Sequence, residues 1–165
     1  MILAIDPGTF ESAYVIIDKE YLKPIEFAKV DNNELLQLIE EINDKTYDVN
    51  HFAIEMVAHY GTAMPAGREV FDTCVWIGRF YQLAFDRIPR LAFIYRKEVK
   101  MNLCHSMKAK DSNIIQALID RFAYGVPNRG KGYKKNPGWF YGFKGDVWQS
   151  YAVGVTYRDS YCKEE

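Results

Sequence analysis

Three carboxylates, Asp6, Glu55 and Asp146, stand where a core-type segment meets a loop. Asp6 closes ILAID, Glu55 closes HFAIE, and Asp146 opens the apolar run DVWQSYAVGV. An apolar strand that delivers a carboxylate at its end is a poor choice for stability alone, because a charge beside a core is costly unless it is paired or binds a metal. The trio is therefore a candidate divalent-metal site. Each member also has a plainer reading. Asp6 could cap the turn at Gly8 or Thr9, and Asp146 could serve the free N–H groups and dipole of a helix start. Glu55 has the weakest such alternative, since a strand-end Glu before Met-Val-Ala has little local reason to be there.

The elements that must position these residues read clearly. ILAID and SAYVIID have the β-branched and aromatic bias of strands, and PGTFE between them carries the Pro7 and Gly8 of a tight turn. KPIEFAKVD reads as a third strand closing a meander. Asp31, with Glu34 three residues on, gives a capping-box-like start to NNELLQLIEEIN, whose apolar stripe is Leu35, Leu38, Ile39 and Ile42. HFAIEM has the character of a central strand covered on both faces, and LAFIYR supplies a fifth strand. A helix over about 68–87 carries two apolar stripes, one at Phe71, Cys74, Val75 and Gly78 and another at Trp76, Phe80, Leu83 and Ala84. Such a helix is deeply buried or shared with a partner, and in so small a protein the partner is the expectation. DSNIIQALIDRF forms a further helix with Asp111 as its N-cap. Residues 125–145, rich in glycine, cations and aromatics, read as a mobile loop.

Composition bounds the function. The chain of 165 residues, nearly half of them hydrophobic, fits one domain with a sizeable core. No apolar run is long enough to span a bilayer and the N-terminus enters a strand directly, so no membrane association and a cytoplasmic location are expected. Cys74, Cys104 and Cys162 lack metal-type spacing and read as reduced thiols, and His51, His59 and His105 lack the spacing of a zinc site. His59 lies close enough to Glu55 to be of interest. The net charge of −1 hides an asymmetry: residues 96–144 hold eleven Lys or Arg against three Asp or Glu, a balance of +8 that leaves −9 elsewhere. A basic segment beside an acidic metal site suits a polyanionic substrate, and nucleic acid fits best. In the loop, Arg129, Lys131, Lys134 and Lys135 would hold phosphates, while Tyr133, Trp139, Phe140, Tyr141 and Phe143 would stack on unpaired bases.

Four pieces in order resemble one family. The opening ILAIDPGTFESAYVIID, then AIEMVAHYG with GREVFDTCVWIGRFYQLAFDR, then YRKEVKMNLCHSMKAKDSNIIQALIDRF, and last GDVWQSYAVGVTY are similar to the stations of the RuvC-type Holliday junction resolvases, especially their phage-encoded relatives, within the ribonuclease H-like superfamily. The DPGT turn alone would not distinguish this from actin-like or sugar-kinase ATPases, but that fold needs two such domains and this chain has room for one. The resemblance implies an α/β fold, a mixed sheet of about five strands flanked by helices, in a single domain over residues 1–165. It implies a homodimer that cuts branched DNA at four-way junctions. It also puts Lys108 and Lys110 near the scissile phosphate, although both could merely flank a helix start. Tyr60, just beyond the acidic strand, is a candidate wedge against the strands at a branch point.

One position departs from the family. Cellular resolvases usually carry a second acid one turn into the last helix, where this chain has Gln149. A spacing of three keeps it on the face of Asp146, so it could offer a neutral oxygen or orient water, but not a second charge; Asp111 is an alternative source. The expected chemistry is phosphodiester hydrolysis, in which two ions activate water and relieve the leaving oxygen of its charge, with Asp6 bridging and Glu55 and Asp146 holding one each. Hard oxygen ligands make Mg²⁺ the expected ion and Mn²⁺ its substitute. The alternatives are a flap- or hybrid-directed nuclease of the same fold and a junction-binding protein without catalysis.

Overall fold

The structure, a computed structural model, describes residues 1–45, 47–58 and 67–162. Strands β1 (Ile2–Asp6), β2 (Glu11–Ile17) and β3 (Pro24–Asp31) form the expected antiparallel meander. Helix α1 (Asn32–Lys45) leads to β4 (His51–Met56) and α2 (Arg68–Phe85) to β5 (Arg90–Tyr95), with β4 parallel to β1 and β5 parallel to β4. The result is a mixed five-stranded sheet in the order β3-β2-β1-β4-β5. Helices α3 (Arg96–Cys104) and α4 (Asp111–Phe122), a ribbon of β6 (Gly132–Tyr133) and β7 (Asn136–Pro137), and helix α5 (Val147–Tyr161) follow.

Alternation along the strands, with successive side chains on opposite faces, builds two cores. Leu3, Ile5, Ile16, Phe52 and Ile54 pack with Leu35, Ile39 and Ile42 of α1 and Ile77, Phe80 and Ala84 of α2. Ile2, Ala4, Val15, Ala53 and Ile94 face the other way, against α5, with α4 contributing Ile114 and Leu118. Helix α5 is buried from Val147 to Tyr157, which is why its run has no polar face. Its approach to the sheet depends on Gly154, where a Cβ would stand 2.9 Å from Ile17 Cδ1 and 3.0 Å from Ala4 Cβ. Any larger residue would push the helix off β1 and move the residues at its N-terminus.

Three expectations are corrected, and the two stripes of α2 divide between core and surface. Within residues 125–145 the aromatic stretch 139–143 is anchored to the core: Phe140 and Phe143 are fully buried against Trp148 and Tyr151. Trp139 stacks on Phe122 and donates from Nε1 to the Tyr151 hydroxyl at 3.0 Å. Of the five aromatics assigned to base stacking, only Tyr133 and Tyr141 stay exposed, because the others cover the apolar outer side of α5. On α2 only Phe80 and Ala84 of the second stripe are fully buried, together with Ile77 between the stripes, while Phe71 and Val75 of the first stripe are exposed. The N-cap of α4 is Lys110, whose backbone N–H donates to Asn113 Oδ1 at 2.8 Å, so Asp111 is the first helical residue. Among the described residues the three cysteines are free thiols, and no helix is long and apolar enough to cross a membrane.

Candidate active site

The parallel strands bring their carboxyl ends to one edge of the sheet. Ile5 lies opposite Ile54, so the next residues, Asp6 and Glu55, are neighbours across the β1–β4 pair, and both continue the alternation of Ala4 and Ala53 toward the α5 layer. Asp146 occupies the N-cap position of α5, which packs over β1, without a side-chain capping bond. The turn after Asp6 is held by a buried pair. Ser12 accepts from the Gly8 N–H at 3.1 Å and donates to Asn32 Oδ1 at 2.6 Å, and Asn32 Nδ2 donates back to the Gly8 carbonyl at 3.0 Å. A Cβ on Gly8 would fall 2.3 Å from the Glu11 carbonyl oxygen, so the turn requires glycine.

An open cleft of about 250 Å³ forms over this edge, lined by Asp6, Thr9, Phe10, Glu11, Lys29 and Asp146 among others. Asp6 lies at its floor, enclosed closely enough that desolvation pushes its carboxyl up to about 8, with the negative charges of Glu55 and Asp146 adding to the rise and Arg96 and Lys29 opposing it. Glu55, with 18% of its side chain exposed, is also raised, chiefly by burial, while Arg96 acts against the rise. Its Oε2 is buried without a hydrogen-bond partner. Asp146 is half exposed and accepts from Lys29 Nζ at 2.7 Å, a bond that raises the lysine.

Two basic residues that sequence reasoning did not place in the site therefore belong to it. Lys29 is opposite Ala13, which is opposite Asp6, so the three lie in one line across β3, β2 and β1. Arg96 follows β5 directly and stands at the same edge as Glu55. It donates from Nη1 to Gln149 Oε1 at 2.7 Å, lies 3.6 Å from Glu55 Oε2, and donates from Nη2 to Asp111. The strand-end logic that singles out Asp6 and Glu55 applies equally to Arg96; Lys29 was hidden because cross-strand register cannot be read from one strand.

Among the described residues, no group of three or more His, Cys, Asp or Glu side chains stands in a metal-holding arrangement. Asp146 is bonded to Lys29, and Glu55 lies 3.6 Å from Arg96. The donors nonetheless fit a hard cation, since three carboxylates share one field and a buried carboxylate oxygen is left without a donor. Gln149, only 8% exposed, is committed to Arg96, and so is Asp111. Lys108, Lys110, Arg129, Lys134 and Lys135 are exposed, Lys131 half-buried, and the ribbon that bears Lys131, Lys134 and Lys135 leads through residues 138–145 into Asp146. Tyr60 and His59 lie outside the described residues. His51 is buried with Nδ1 2.9 Å from the Tyr157 hydroxyl, and His105 is exposed at the end of α3.

No protein-family model matches the sequence, and no curated protein does. Solved structures match its shape. RuvC of Thermus thermophilus in complex with a Holliday junction substrate superposes with a TM-score of 0.67 over 94% of this chain and 91% of that one, at 12% identity. A second Thermus thermophilus RuvC structure gives 0.63 at 16% identity, covering 94% and 92%. A Fowlpox virus resolvase in complex with its substrate Holliday junction DNA gives 0.55 at 14% identity, covering 97% and 99%. The chain thus has the RuvC-type, ribonuclease H-like fold, with Asp6, Glu55 and Asp146 gathered at one edge of its sheet.

Proposed function

We propose that this protein is a metal-dependent, structure-selective endonuclease that resolves four-way DNA junctions by phosphodiester hydrolysis. The observation that carries the reading is the placement of Asp6 and Glu55 on adjacent strand ends under Asp146, in one electrostatic cluster on this fold. Two of the solved structures described above are complexes with Holliday junction DNA, which supports a branched substrate. Asp6, Glu55 and Asp146 would hold Mg²⁺, or Mn²⁺ in its place. Such an ion supplies Lewis-acid stabilisation of charge developing on the phosphoryl group and favours ionisation of the attacking water. The chain's own cations do the rest: Lys29 and Arg96 balance the carboxylates, and Lys108, Lys110, Arg129, Lys131, Lys134 and Lys135 hold phosphates along the DNA.

The direct test is incubation with labelled four-way junction, flap, duplex and RNA–DNA hybrid substrates in Mg²⁺. Paired cuts in the junction support the proposal, and preference for flap or hybrid assigns the other nuclease of this fold. A second reading, junction binding without catalysis, is favoured by the neutral Gln149; tight junction binding without cleavage in Mg²⁺ or Mn²⁺ would establish it.

If the basic ribbon holds phosphates, replacing Lys131, Lys134 and Lys135 together by Ala flattens the dependence of log affinity on log salt by about 2–3, since each phosphate contact contributes about 0.9. Fluorescence anisotropy across a salt series reads this, and an unchanged slope makes the ribbon a spectator.

Coordinated cutting of two opposed strands needs two linked sites, and we infer a homodimer from the exposed stripe on α2, where Phe71 and Val75 are each more than 60% exposed. Light scattering at micromolar concentration should give a dimer, and Phe71→Glu with Val75→Glu a folded monomer. Phe80→Glu is no test, because Phe80 is buried in the core of its own chain. A monomeric wild type would argue for the flap or hybrid nuclease.

A further inference from the structure

Arg96 is built in more firmly than a surface ion pair requires. Its side chain is 22% exposed, and its guanidinium faces three oxygens: Gln149 Oε1 at 2.7 Å, the Asp111 carboxylate, and Glu55 Oε2 at 3.6 Å. Lys29, the cation on the other side, is 42% exposed and holds Asp146 through one hydrogen bond at the end of a flexible stem. A lysine can swing away from a carboxylate, whereas a guanidinium held by a planar fork of donors keeps both its position and its charge. The two sides of the site are therefore not equivalent. One cation can leave, and the other is part of the structure.

We propose that Arg96 serves as a resident cation on the Glu55–Gln149 side of the site, so that the protein takes up one divalent ion and not two. The inference rests on the metal-dependent reading above and refines it. With Asp6 ionised, Asp6, Glu55, Asp146 and Asp111 carry four negative charges and Arg96 and Lys29 offset two, which leaves two, the charge that a single divalent ion neutralises. A second divalent ion beside Glu55 would meet the fixed guanidinium, and removing that group would strip Gln149 and Asp111 of their donor. Gln149 fits this role better than an acid would. A neutral amide oxygen accepts the guanidinium N–H without adding the charge that would recruit a second ion, and Asp111 balances Arg96 from its more exposed side. Arg96 is thus a positioning residue, acting on the reaction through the carboxylates it holds.

The test is metal stoichiometry in protein free of DNA, by calorimetric titration with Mn²⁺ and by electron paramagnetic resonance, in which two neighbouring Mn²⁺ ions broaden each other's signal. Wild type is expected to bind one ion per chain, and Arg96→Gln two. Two ions in the wild type, or one in Arg96→Gln, would overturn the proposal and leave the nuclease reading standing. No Mn²⁺ binding at all would overturn both. Should Arg96→Gln fail to fold, Gln149→Asp takes its place: the new carboxylate neutralises Arg96 and adds the missing charge, so two ions are expected, and one ion would overturn the idea.

Discussion

Asp6→Asn, Glu55→Gln and Asp146→Asn are each expected to abolish cleavage of a four-way junction, with a loss of about a thousandfold or more, or about 4 kcal/mol of transition-state stabilisation. Junction binding should be largely retained in all three, because affinity comes from the cations of residues 96–144 and not from the carboxylates. The environments of the three rank the effects. Asp6 sits between the other two and is the most enclosed, and Glu55 brings the oxygen that has no donor, so those two substitutions should be the most severe. Asp146 is half exposed and already paired with Lys29, so its loss should be the mildest of the three. Cleavage is measured in single turnover with excess protein, and binding by anisotropy in EDTA. A variant that cuts at the wild-type rate removes its residue from the site. A variant that loses binding along with cleavage has lost its fold or its electrostatics, and a thermal melt distinguishes these.

What could be read in the sequence was whatever depends on a single segment. The five strands, their succession along the chain and the carboxylates at two of their ends follow from short apolar runs bounded by turn residues. The sheet then places Asp6 beside Glu55 because parallel strands end at the same edge. What escaped depends on two segments at once. Lys29 is an ordinary exposed-face lysine in its own strand and joins the site only through the register Lys29–Ala13–Asp6. Arg96 entered only as one of many cations, although its partners Glu55, Asp111 and Gln149 come from three other elements. Phe140 and Phe143 were misjudged for the same reason. Among glycines and lysines they resemble exposed stacking residues, yet α5 has an apolar outer side that must be covered, and these rings cover it. Composition could not tell the two uses apart.

Asp6→Asn should also stabilise the metal-free protein, and by an amount that grows with pH. The Asp6 carboxyl is raised from its ordinary value of 3.8 to about 8, first by desolvation and then by Glu55 and Asp146. Between about pH 4 and pH 8 the folded state therefore holds a proton that the unfolded state has released. Stability falls wherever the unfolded state binds fewer protons, so this group erodes stability as pH rises through that window and changes nothing further above or below it. Asparagine carries no proton and avoids the loss. A shift of this size corresponds to at most about 6 kcal/mol, and even about 2 kcal/mol of it amounts to roughly 4–8 °C in Tm at this chain length. Melts in EDTA should show wild type and Asp6→Asn close together at pH 4 and separating up to pH 8, with the variant the more stable. Adding Mg²⁺ at pH 8 should raise the wild type toward the variant, since a cation among the carboxylates relieves the same repulsion, and should leave Asp6→Asn nearly unmoved. A gap that stays constant with pH would mean that Asp6 is solvated and uncoupled from Glu55 and Asp146, and the cluster on which the metal site depends would not exist.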